Sequence, residues 1–195
     1  MTQNKVTFGL EKLHIAFFDV AAQGQPAWKA PIPIPGAVRW TPEAQGESST
    51  FYADNTAYFV ISSNNGYTGE LELALVPDAV LAEMLGWELD DNGMLVEVSN
   101  AIPKKFALMG QVQGDQKNRR FVYYDCQATR PAKERTTKGE SIEVTTDVLN
   151  LTISPIEIEG KMVVKGDLEL NDTNATAYNS FFTSVYKPVF GGGAA

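Results

Sequence analysis

The segment from residue 51 to residue 75 carries the strongest signal for β-structure in the chain. Residues 57–61 are mostly aromatic or β-branched, which favours an extended strand. Asn65-Gly66 supplies the positive backbone angles of a tight turn, and beyond it Leu71, Leu73 and Leu75 alternate with polar or small residues. The pattern predicts a β-hairpin that turns at Asn65-Gly66 and buries the three leucines on one face.

Strand signals recur along the rest of the chain, whereas helix signals are few. The other segments with strand character are 13–18, 105–113, 120–127, 140–154 and 161–170. A short helix is predicted between Pro77-Asp78 and Gly86, which flank an apolar stripe. A second stripe at helical spacing, which we expect to be core, comprises Tyr178, Phe181, Phe182 and Val185. These patterns predict a mainly β fold.

The length of 195 residues is typical of one domain, and we expect residues 1–195 to form a single domain with one core. Three segments lack the pattern of core elements: an arm at about 19–37, a polar loop at about 42–50 and a C-terminal arm at about 186–195. Within the first arm, prolines at alternate positions of 31–35 remove every second amide donor, so this stretch is predicted to be an arm or an edge strand.

Composition limits the compartment and the partners. No stretch approaches the roughly 20 apolar residues that cross a bilayer, and the polar start resembles no signal peptide, so we expect synthesis and retention in a cytoplasm. Cys126 is the only cysteine, which excludes an internal disulfide and predicts a buried structural thiol. The net charge of −8 argues against general nucleic-acid affinity.

The charge is unevenly distributed. From Lys104 to Lys138 there are nine basic and three acidic residues, so this segment carries +6 and the remainder −14. Opposite charges on one chain can attract further copies head to tail, although a set of solvated loops would show the same pattern. The candidate contacts are the basic Arg119, Arg120, Lys133 and Arg135 and the acidic Glu43, Glu47, Asp90 and Asp91.

No residue pattern predicts catalysis, a metal site or a cofactor. The single histidine, His14, lies in an apolar strand with no nucleophile at motif spacing. Residues 139–143 begin like a nucleophile elbow but lack its final glycine. Asp90-Asp91-Asn92-Gly93 lacks the alternating ligands of a calcium loop, so we interpret it as a hairpin turn.

Several short blocks of sequence together resemble the major tail proteins of bacteriophages with long, flexible, non-contractile tails. The blocks are 4–10, 13–16, 51–55, 65–71, Leu85-Gly86, 106–108, Tyr123-Tyr124 with Cys126, Arg130-Pro131 and 137–141. The resemblance implies a β-sandwich or half-open barrel of two antiparallel sheets, with one or two short flanking helices and extended loops or arms.

The same resemblance implies a structural virion protein and not an enzyme. Six copies would close into a ring, and stacked rings would form the tail tube through which DNA is ejected without specific binding. The implied partners are further copies of the chain, a tape measure protein in the lumen, a tail terminator and distal tail or baseplate proteins. The protein would be made in the host bacterial cytoplasm and reside in the virion tail. We expect an acidic or neutral lumen, since a basic wall would retain DNA.

Apolar residues in the two arms have no role in a solvated linker. They are Trp28, Ile32, Ile34, Val189 and Phe190. We therefore expect the arms to add little to the monomer core and to bury these side chains against a neighbouring subunit.

Two other classes of protein remain open. A carbohydrate-binding or adhesin β-sandwich would be favoured if Trp28, Trp40 and Trp87 were exposed on one concave face. An enzyme on a β-barrel is the other, and no constellation of residues supports it.

Overall fold

A computed structural model describes residues 7–19, 25–115, 117–131, 133, 137 and 145–191. Within them the fold is mainly β, with antiparallel strand pairs and two short helices, which confirms the predicted class. The strands are β1 (Leu10–Asp19), β2 (Ala27–Trp28), β3 (Ile32–Pro33), β4 (Ala37–Ala44), β5 (Ser48–Ala53), β6 (Thr56–Ser62), β7 (Tyr67–Leu73), β8 (Glu88–Leu89), β9 (Leu95–Val96), β10 (Phe106–Val112), β11 (Arg120–Ala128), β12 (Asp147–Ile153), β13 (Ile156–Ile158), β14 (Lys161–Val163) and β15 (Lys165–Leu168). The helices are α1 (Asp78–Leu85) and α2 (Ala175–Asn179).

One large antiparallel sheet organises the molecule. Its strand order is β2-β1-β10-β11-β12-β7-β4, with β3 also paired to β1 and β15 also paired to β11. The first half of β11 pairs with β15 and its second half with β12. Because β1 also approaches β4, the sheet curls towards a half-open barrel.

The central strands are buried on both faces, so their side chains divide between two cores. Phe106 and Leu108 of β10 lie in the larger core with Leu13, Leu71 and α1, whereas Ala107 and Met109 lie in the second core. The alternation follows from the two-residue period of a strand. The C-terminal segment covers the second core through Phe181 and Val185.

The predicted hairpin turn at Asn65-Gly66 is wrong. The reversal lies at Asp54-Asn55, where both residues have positive φ (51° and 58°), as a two-residue turn requires. Strand β6 therefore pairs with β5, which precedes it in the chain, and β7 pairs with β4 and β12. Leu71 and Leu73 are buried as predicted, but Leu75 lies beyond the end of β7 and is 70% exposed.

Strands β4 and β5 form one side of a continuous antiparallel ribbon and β6 and β7 the other, and the β5–β6 part is a two-stranded sheet. Between the β4–β7 and β5–β6 ladders, the amide of Gln45 donates to Gly66 O and the amide of Asn65 donates to Gln45 O, both at 2.9 Å. The amide of Ser63 donates to Glu47 O at 3.0 Å. The predicted polar loop at about 42–50 is therefore wrong, since most of its residues belong to β4 and β5.

The proline-rich segment is an edge of the sheet, as its pattern predicts. Strand β3 pairs with β1, and the amide of Ile34, between two prolines, donates to Leu13 O at 2.8 Å. Ile34 is only 3% exposed and belongs to the larger core. The expectation that this arm adds little to the monomer core is therefore wrong at Ile34.

The helices and the second hairpin are where the sequence predicts them. Helix α1 buries Val80, Leu81, Met84 and Leu85 and ends at Gly86, whose φ of 71° is left-handed. Helix α2 is only five residues long, yet Tyr178, Phe181 and Val185 from the predicted stripe are buried. Strands β8 and β9 flank the turn at 90–93.

Candidate assembly surface

The distal end of the ribbon, formed by β5 and β6 and here called the aromatic tip, carries a dense group of exposed apolar side chains. Their exposed fractions are 61% for Phe51, 68% for Tyr52, 72% for Tyr58, 60% for Phe59 and 55% for Val60. Such an exposed patch on a soluble protein marks an interaction site or an aggregation liability.

The register of the ribbon explains why these side chains are exposed. Phe51 pairs directly with Phe59, and Thr50 with Val60, in a sheet that contains only these two strands. A two-stranded ribbon has two faces, and no third strand or helix of the described chain covers either of them. The apolar residues therefore remain in solvent until another molecule covers them.

The tip is held in a defined direction relative to the body. The continuous hydrogen-bond ladder connects it to β7, and Gln45 Nε2 donates to Thr68 Oγ1 at 2.8 Å near the junction. At the turn itself, Thr56 Oγ1 donates to Ala53 O at 3.1 Å. Glu43 and Glu47 are exposed along the same ribbon, between its attachment to the body and the aromatic tip.

The predicted basic residues at the start of β11 are engaged within their own chain. Arg119 forms ion pairs with Glu169 and, at 3.4 Å, with Asp115. The hydrogen bond to Glu169 raises the pKa of Arg119, and hydrogen bonds from Lys117 and Arg119 lower the pKa of Glu169.

Arg120 is held by a different set of groups. Its guanidinium lies 3.7 Å from the ring centroid of Tyr178 and donates to Gln111 Oε1 at 2.9 Å and to Tyr178 O. Arg119 and Arg120 therefore both have partners within their own chain before any contact with an acidic surface of another subunit.

The remaining charged candidates are scattered. Lys133 lies 3.6 Å from Asp147. Asp90 accepts from the amides of Met94 and Asn92, which lowers its pKa and fixes the β8–β9 turn, while Asp91 is exposed. Arg135 lies outside the described residues.

The apolar candidates of the two arms differ in exposure. Trp28 is partly buried, and its Nε1 donates to Tyr124 O at 3.2 Å. Ile32 packs against the larger core, and Lys161 Nζ lies 4.3 Å from the centroid of the partly buried Phe190 ring. Val189 is 84% exposed.

The three tryptophans do not form a common binding face. Trp40 and Trp87 pack against the larger core, whereas Trp28 packs against the second core on the other face of the sheet. A carbohydrate platform built from these residues is therefore not favoured.

In the part of the chain that the structure describes, no group of three or more His, Cys, Asp or Glu side chains could hold a metal ion. Over the same residues, neither helix is long and apolar enough to cross a membrane.

A mainly β body with a large exposed aromatic surface is typical of structural proteins that assemble with other chains. The chain matches the family described as phage tail tube protein over residues 1–189, and it belongs to that family. The family is one of structural tail proteins, and the protein is a component of the phage tail.

No curated protein matches the chain. A chain from the cryo-EM structure of the anti-feeding prophage baseplate, 6-fold symmetrised, is 10% identical, with a TM-score of 0.45. That match covers 87% of this chain and 98% of the baseplate chain.

Proposed function

We propose that the protein is the subunit of the tail tube of a phage with a long non-contractile tail. Six copies form a ring, and rings stack head to tail into a conduit for DNA ejection. The observation that supports this most directly is the aromatic tip, because exposed phenylalanine and tyrosine at the end of an ordered ribbon are suited to burial against a neighbouring copy.

The surface of the subunit supports a passive role towards DNA. Six chains of charge −8 give −48 per ring, so acidic side chains are abundant. We propose that the lumen is acidic or neutral. DNA then passes through it without binding, because the wall offers no attraction to the phosphates. Tubes bound tightly by duplex DNA at physiological salt would contradict this part of the proposal.

The partners that we propose for the protein follow from its place in the phage tail. We propose that the tube encloses a tape measure protein during assembly and meets a terminator at one end and distal tail or baseplate proteins at the other. The role is structural and not enzymatic. Among the predicted contact residues, Glu43, Glu47, Asp91 and Val189 are exposed, and we propose them as contacts within the tube.

Electron microscopy of the purified protein over a concentration series tests the proposal. We expect rings or tubes to form as concentration rises, with a sixfold projection end-on. A protein that stays monomeric at every concentration and binds glycans would instead indicate the adhesin alternative.

A further inference from the structure

A cavity of about 270 Å³ lies between the main sheet and the C-terminal segment, away from the aromatic tip. The side chains that form most of its wall are Val122, Leu168, Phe181, Tyr186, Pro188 and Phe190. For comparison, an apolar cavity of about 150 Å³ is large enough to bind benzene. The cavity could thus accommodate a single aromatic ring with a small substituent.

Tyr124 gives the wall a polar group. The residue is 1% exposed, and its backbone is fully used, because its amide donates to Val164 O at 3.1 Å and its carbonyl accepts from Trp28 Nε1. Its hydroxyl, in contrast, makes no hydrogen bond to the residues that the structure describes, and it is not fully enclosed by protein atoms. The hydroxyl is therefore available to donate a hydrogen bond to a molecule in the cavity.

Gly166 leaves space beside that hydroxyl. A Cβ built on Gly166 would lie 3.2 Å from Tyr124 Oη and 3.6 Å from Val122 Cγ1. Any larger residue at this position of β15 would therefore fill the part of the cavity next to the phenol.

The cavity also has no net charge. Lys165 and Asp167 line it, and they form an ion pair with each other at 3.5 Å. An ionised ligand would lose its hydration without gaining a free counter-charge, which is costly.

We propose that this cavity is a binding site for a small neutral aromatic molecule that accepts a hydrogen bond from the Tyr124 hydroxyl. The rings of Phe181, Tyr186 and Phe190 supply apolar contacts, and the hydroxyl supplies orientation. The inference does not depend on tube assembly, since every residue of the site belongs to one chain.

Three probe molecules test the proposal by calorimetry on the full chain. Acetophenone carries a ring and a carbonyl acceptor, ethylbenzene lacks the acceptor, and benzoate is charged. We expect saturable binding of acetophenone, about three- to tenfold tighter than ethylbenzene, because one net hydrogen bond is worth about that factor. Benzoate should bind more weakly than acetophenone. Equal affinities for acetophenone and ethylbenzene, or no saturable binding, would overturn the proposal.

Two variants distinguish a ligand site from a structural tyrosine. Tyr124→Phe should fold with an unchanged or higher Tm and should abolish the preference for acetophenone over ethylbenzene. Gly166→Ala should reduce binding of both molecules by narrowing the cavity. As a matched control, Tyr178→Phe removes a hydroxyl that donates to Asn118 O at 2.6 Å, and it should lower Tm by about 2–4 °C without changing the preference. A loss of Tm in Tyr124→Phe equal to that in Tyr178→Phe would show that the hydroxyl has a structural partner.

Discussion

Gly66 lies within the ribbon at the point where β7 begins to run beside β12. Its φ is 96°, and a Cβ at this position would clash with the carbonyl oxygen of Ile153. The residue that the sequence marks as a turn is therefore required for close packing of two backbones.

Gly66→Ala should lower the free energy of unfolding by more than about 3 kcal/mol, because the steric clash adds to the cost of a positive φ. Gly93→Ala is the matched control, since its φ is 83° but nothing lies within 4 Å of the added Cβ. That control should cost only about 1–2 kcal/mol. Urea unfolding measures both, and equal losses would contradict the packing argument.

Arg120 illustrates how a charged residue that looks available in sequence is used in the fold. Arg120→Ala should destabilise the subunit by about 2 kcal/mol, because it removes the contact with the Tyr178 ring and the hydrogen bond to Gln111. Arg130→Ala, which removes an exposed ion pair with Glu97, should cost less than about 1 kcal/mol. Denaturant midpoints compare the two, and a smaller loss at Arg120 would show that its contacts are weak.

At the scale of elements, the ribbon is the part of the fold that the sequence predicted least well. Strands β10 and β11 were predictable because their nearly continuous apolar runs agree with burial on both faces. The pattern around Asn65-Gly66 fits both a tight turn and a close approach inside a ribbon, and only the pairing with β12 decides between them. Likewise, the sequence shows that Phe51 and Phe59 are apolar, but it does not show that both faces of their strands are exposed to solvent. Asp54-Asn55 was the available signal for the true turn.

The aromatic tip should control assembly and contribute little to folding. The double variant Phe51→Ser with Phe59→Ser should unfold within about 1 kcal/mol of the wild type, since a cross-strand pair is worth only about 0.2–1 kcal/mol. It should nevertheless form no tubes in electron micrographs. The matched control, Leu75→Ser with Met162→Ser, changes two apolar residues that are 70% and 66% exposed outside the tip and should assemble normally. Normal tubes from the tip variant would exclude the tip as an essential contact.

At the scale of the whole molecule, the two cores lie on opposite faces of one sheet. Ionisation of a buried group in either core should therefore lower the free energy of unfolding of the whole protein. Burial raises the pKa of Cys126 above its ordinary value of 9.0 and that of Tyr124 above 10.0, and it raises the pKa of Tyr123 to about 12. Arg119 and Glu169 form an ion pair although they are fifty positions apart in sequence, and no local sequence pattern predicts such a pair.

Stability should stay level up to about pH 9 and fall above it. Above these ordinary pKa values the unfolded chain releases protons that the folded chain keeps, so the free energy of unfolding decreases as pH rises. Each such group adds a slope of about 1.4 kcal/mol per pH unit. Urea midpoints between pH 7 and 11 measure the decline, and Cys126→Ala should make it shallower. A flat profile to pH 11 would mean that these groups ionise normally in the fold.

The continuous ladder of the ribbon has a mechanical consequence. A body whose central strands are packed on both faces resists deformation, whereas a two-stranded ribbon bends easily across its plane while keeping its length. In the stacked tube that we propose, such a ribbon would form a flexible connection between subunits, with its aromatic tip as the contact. Bending of a long filament would then be absorbed in the ribbons, and the bore defined by the stiff bodies would stay open along a curved path.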